Sequence, residues 1–173
     1  MNKVTEVSVP LGSSIWRILP SFGFSDAYQV ELSRPDLSPE DIYEAVFNYP
    51  PAWVIGLFVV RGWFACALNL KHLPVRFGAR ASDSRPFEVG RRAGLFTVQY
   101  TDPYELILGE QDSHLDFWLS VYKSKEHGVE VATISTAVLM HNRIGKAYMK
   151  VVEPFHRVLA KMMVQRAIQA GRL

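Results

Sequence analysis

The chain reads as an α+β domain in which an antiparallel sheet is followed by one long C-terminal helix. Three observations carry this. Through residues 96–141 apolar and polar residues alternate between short polar turns, the pattern of half-buried strands. From residue 144 the period changes: Ile144, Tyr148, Val151, Phe155, Leu159 and Met162 recur at spacings of three and four, one apolar face of a helix. The length of 173 residues, with 49% hydrophobic and 21% charged, suits a single domain spanning 1–173.

Taken in order, residues 26–33 (DAYQVELS) alternate like a short strand. Ser38 then offers an N-cap, with Pro39 at the first helical position and Glu40 and Asp41 in the first turn. That helix should run to about Asn48, where Pro50 and Pro51 stop it. A second helix is expected over 52–70, and loop over the Gly- and Pro-containing stretch 72–94. Strands are expected at 96–100, 105–109, 114–123 and 129–141, the last two joined by a polar turn at 124–128. The final helix should span 144–170, with Pro154 kinking it because proline removes a backbone donor. Its apolar stripe is assigned to the sheet face of Leu115, Phe117, Leu119 and Val121.

Composition excludes several function classes. Net charge is only +2, and it alternates along the chain. Residues 1–60 and 93–141 are acidic, while 61–92 and 142–173 are basic, so the blocks can neutralise one another. A nucleic-acid binder more often keeps an uncompensated basic face, and no aromatic–basic patch is present. The single cysteine, Cys66, allows no internal disulfide, and the opening MNKVTEVSVPLGSSIW lacks an apolar signal region; a cytoplasmic setting is expected. Residues 52–68 are apolar on almost every side, but Arg61 in their middle argues for a buried helix and against a membrane span. No glycine-rich nucleotide fingerprint, phosphate loop or Ser-His-Asp signature occurs, and no cofactor is implied.

Two segments, LGEQDSHLDFWLSV (108–121) and HNRIGKAYMKVVEPFHRVLAKMM (141–163), resemble an uncharacterised bacterial domain family related to the START and birch-pollen-allergen (SRPBCC, helix-grip) superfamily. The residues that carry the resemblance are His114, Leu115, Asp116 and Phe117, then His141, Asn142, Gly145, Tyr148, Pro154, Phe155 and His156. Trp118 stands where relatives tend to carry arginine, and 65–74 is less basic and less glycine-rich than in relatives. The resemblance implies a helix-grip fold, a sheet curled around the last helix with two helices after the first strand and an apolar cavity between sheet and helix. It implies no activity.

Two constellations could carry chemistry. His114 and Asp116 fall on the face of their strand away from the core, with Trp118; a strand partner shifted as a six-residue connection requires would put Asp116 opposite Ser135. A carboxylate beside an imidazole can orient it for acid–base work. The plainer reading, a surface pair fixing the sheet edge, is preferred because catalytic pairs sit in pockets. Zinc would need further ligands that spacing does not supply, so no metal is expected. His156 lies at the edge of the apolar stripe beside Pro154, either as a polar anchor or base in the cavity or as a histidine satisfied by a nearby carbonyl. His141 and Asn142 should end the last strand and cap the helix.

The expected function is therefore a binding module for a small hydrophobic or amphipathic molecule, an acid or carbonyl compound, lined by Trp53, Leu57, Arg61, Phe117, Tyr148, Phe155 and His156. The alternatives are an acid–base enzyme of cyclase or dehydratase type using His156 or the His114–Asp116 pair, and a ligand-free interaction domain acting through 52–68 and an exposed Trp118. Surplus apolar surface also leads us to expect a homodimer.

Overall fold

The structure, a computed structural model, describes residues 3–19, 21–54, 56, 87–94 and 96–173. The expected helix at 52–70 therefore lies largely outside the described residues, and with it Leu57 and Arg61.

Seven strands form one antiparallel sheet: β1 (Thr5–Glu6), β2 (Phe24–Glu31), β3 (Arg92–Ala93), β4 (Phe96–Thr101), β5 (Glu105–Gln111), β6 (Leu115–Glu126) and β7 (Val129–Met140). Their order is β1-β2-β7-β6-β5-β4-β3, so the first long strand lies beside the last. The helices include α1 (Ile15–Ile18), α2 (Pro39–Phe47) and α3 (Arg143–Gln169), and residues 52–54 and 56 are also helical. α3 and α2 cover one sheet face, the helix-grip arrangement.

Local chemistry accounts for these elements. Ser38 caps α2 in a capping box with Asp41, behind Pro39, as its sequence predicts. Asn142 caps α3 by accepting from Gly145 N at 3.0 Å. α3 ends with two backbone bonds, Gly171 N to Ile168 O and Arg172 N to Ala167 O. Gly171, at φ 65°, supplies the left-handed residue this Schellman motif needs. The turn seats Leu173 in the core, 2% exposed.

The β6–β7 hairpin closes more tightly than its sequence suggests. Only His127 and Gly128, at φ 51° and 87°, connect the strands, the two-residue turn whose twist matches that of strands. Asp116 therefore pairs with Leu139, not Ser135, and Trp118 with Ala137. The register moves by an even number of residues, so side chains within β6 and β7 keep their faces, whereas His114, just before β6, meets Tyr148 of α3 edge-on.

One expectation is overturned in part and another outright. The most deeply buried residues of α3 are Gly145, Met149, Met163, Val164 and Ala167, while Tyr148, Leu159 and Met162 of the expected stripe pack partly buried beside them. Ile144, Val151, Phe155 and Val158 face solvent, Phe155 at 65% exposure. One residue is about 100° around a helix; α3 is apolar over almost half its circumference, so both stripes were available. Trp118 is also not exposed. Residues 7–19 run over the outer sheet face, where Val9, Ile15 and Leu19 pack on Ala27, Ile107, Trp118 and Ala137. Glu105, itself buried, holds this segment by accepting from Ser13 Oγ at 2.5 Å and Ser14 N at 2.6 Å, while Ser120 Oγ donates to it from the sheet at 2.6 Å.

Candidate functional site

Asp26 is the most unusual polar residue on the helix side of the sheet. Alternation along β2 puts Phe24, Asp26, Tyr28 and Val30 on that side. The Asp26 side chain is 1% exposed, and neither carboxylate oxygen has a hydrogen-bond partner among the described residues. A buried carboxylate left so costs free energy unless something pairs with it. Directly across the β2–β7 ladder stands Thr136. Over both lies His156 of α3, its Nε2 3.1 Å from Thr136 Oγ1 and 3.5 Å from Asp26 Oδ1.

The surroundings are aromatic and electrostatically negative. Phe24 and Phe117 meet the His156 ring edge-on, with centroids at 5.8 and 6.5 Å, and Phe96 stacks on Phe117 at 4.9 Å. The Tyr28 hydroxyl donates to the Arg157 carbonyl at 3.2 Å. Its pKa is pushed up to about 12, first by burial and then by the negative charges of Asp26 and Glu6. Arg157 lies over the Phe24 ring at 5.0 Å, but its guanidinium is taken by Glu153 and Glu6, each at 3.1 Å.

The sequence-derived candidates divide around this cluster. His156 and Phe117 come together in it. Tyr148 lies two turns earlier on α3, edge-on to His114 at 6.0 Å. Phe155 faces solvent, and Trp53 is half exposed. His114 and Asp116 take different partners: His114 Nδ1 stands 3.4 Å from Asp112, whereas Asp116 meets His141 Nε2 at 3.0 Å.

That second group joins the start of β6 to the start of α3. His141 N donates to His114 O, and Asn142 Nδ2 to Ser113 O. Gly145 sits so close to the His114 carbonyl that a Cβ there would overlap it. His114, Asn142, Gly145 and Tyr148 thus form one docking joint. No group of three or more metal-ligating side chains is found among the described residues. A polar recess of about 500 Å³ lies elsewhere, at the β1–β2–β7 end, with Lys3, Gln29, Glu31, Glu126 and His127 in its wall.

Sequence reading missed Asp26 and Thr136. The signal existed: Asp26 shares the parity of Tyr28 and Val30, and Thr136 that of Ile134 and Val138. Starting the first strand at residue 26 made Asp26 look like a polar strand end.

Residues 18–163, which contain the whole Asp26–Thr136–His156 cluster and the docking joint, match a family model described as a protein of unknown function (DUF2867). The chain belongs to the DUF2867 family. No curated protein matches it. Among solved structures, this DUF2867 domain is similar to CalU16 from Micromonospora echinospora over 98% of its own length and 95% of that chain, at 8% identity and a TM-score of 0.32. A likeness that distant transfers no residue, ligand or activity to the DUF2867 chain. No helix of the described residues is long and apolar enough to cross a membrane.

Proposed function

We propose that this DUF2867 domain, as a relative of the START and SRPBCC proteins, binds a small hydrophobic or amphipathic molecule between its sheet and α3. Asp26, Thr136 and His156 would form the polar end of that site. The observation that carries the reading is the buried Asp26 carboxylate without a hydrogen-bond partner, set in a helix–sheet interface otherwise built of Phe24, Phe117, Val138 and Met149. An interface that only held the fold together would be more stable with an apolar side chain there. Apolar walls supply affinity by burial, and a few converging polar groups supply orientation. The test is denaturing mass spectrometry of an organic extract of the purified protein. A retained apolar molecule, lost in an Asp26→Val/His156→Phe double variant, is the expected result; an empty extract with no binding of added apolar probes refutes the reading.

A second reading rests on the same pair. Asp26 beside His156 Nε2 is an arrangement in which a carboxylate orients an imidazole for acid–base chemistry. On that reading the ligand is turned over as well as held. The exposed Ile144, Val151, Phe155 and Val158 take over from Trp118 as the motive for a homodimer in a cytoplasmic setting.

A further inference from the structure

We infer that the group recognised by this site is a hydrogen-bond donor, a hydroxyl or N–H on an otherwise apolar molecule, accepted by Nδ1 of His156. The inference rests on the ligand-binding reading above and specifies its chemistry. Asp26 determines the tautomer. Its Oδ1 stands 3.5 Å from His156 Nε2. A lone pair on Nε2 would face the carboxylate and be repelled, whereas a proton there is attracted. The neutral ring therefore carries its proton on Nε2 and its lone pair on Nδ1. Thr136 Oγ1, at 3.1 Å, accepts from the same Nε2–H.

Nδ1 makes no hydrogen bond among the described residues, and the His156 side chain remains 20% exposed while Asp26 is closed off. A ligand thus reaches the pair through the imidazole. A carboxylate arriving there would meet a lone pair and, behind it, the charge of Asp26. Among the described residues the cation beside the cluster, Arg157, is occupied by Glu153 and Glu6. A hydroxyl or N–H meets the same lone pair favourably. His156 by itself suits an acid or a carbonyl compound equally well; Asp26 turns the preference toward donors.

Three matched probes test this: naphthol, naphthoate and methoxynaphthalene, titrated into the whole protein near neutral pH and followed by calorimetry. Naphthol should bind about tenfold more tightly than either analogue, the size of one net hydrogen bond. His156→Phe, with His156→Gln as a milder companion, should level naphthol with methoxynaphthalene. Nitrogen-15 NMR of the unliganded protein should show Nδ1 of His156 unprotonated, a readout that needs no variant. Naphthoate binding as tightly as naphthol, or a protonated Nδ1 on a neutral ring, overturns the inference and leaves the binding reading standing. If no probe binds and the extract is empty, both fall.

Discussion

Replacing Asp26 by valine should make the unliganded protein more stable and, on the proposed function, remove the bound molecule. The balance follows from the geometry. Each buried ion loses several kcal/mol of hydration even after the protein relaxes, about 3 or more. If His156 is protonated, the attraction at 3.5 Å returns about 5 kcal/mol at an effective dielectric of about 20. Two ions lose hydration and one attraction returns it, so the pair does not gain outright. If His156 is neutral, the return is smaller still. Neither Asp26 oxygen recovers a hydrogen bond of good geometry among the described residues. Valine suits a strand and adds apolar contact with Phe24 and Val138. The expected gain is about 1–4 kcal/mol, which for a domain of this size raises Tm by about 2–4 °C per kcal/mol. Urea unfolding measures it, with the slope m checked for constancy. A loss of more than about 1 kcal/mol, an ordinary destabilisation, would show that Asp26 holds the fold together and that reading it as a functional group is mistaken.

The other predictions test the frame around the site. Phe155→Ala should change stability by no more than about 0.5 kcal/mol, the usual surface range, whereas Met163→Ala, at a residue 6% exposed, should cost about 2–5 kcal/mol; urea midpoints that rank the two the other way would return α3 to the stripe read from sequence. Gly145→Ala gains about 1 kcal/mol of helix propensity but forces a methyl into the His114 carbonyl, so a net loss of about 1–3 kcal/mol is expected from overpacking, visible as slowed or weakened docking in hydrogen exchange of 141–149. Tyr28 holds its proton to a pH of about 12 when folded and about 10 when unfolded; the unfolded chain loses its proton first as pH rises, so stability is full below pH 10 and falls above it, and Tyr28→Phe should flatten that alkaline limb in thermal melts. Val151→Asp should convert a sedimenting dimer to a 19.6 kDa particle; wild type already sedimenting at that mass at high concentration removes the dimer.

Local signals read well because they depend on neighbours in the chain. The Ser38 capping box needs only Asp41 three residues on, and the Asn142 cap only the backbone of Gly145. The faces of β6 and β7 follow from strict alternation, which an even register shift leaves intact. That is why the assignment of Leu115, Phe117, Leu119 and Val121 to the helix side holds without knowledge of the pairing.

What the chain determined alone was therefore the order of its five long strands and of α2 and α3, with their caps and the sidedness of β6, and not the short β1, α1 and β3. The tertiary structure decided the rest. It selected one half of α3's wide apolar arc, because the close approach of Gly145 to His114 fixes how the helix is rolled on the sheet. It hid Trp118 by laying residues 7–19 across the outer face, anchored on Glu105 from 91 positions away. It parted His114 from Asp116 and joined Asp26 to His156, residues 130 apart in the chain. No local pattern encodes such pairings, because the distance between two side chains on different elements depends on register and roll together.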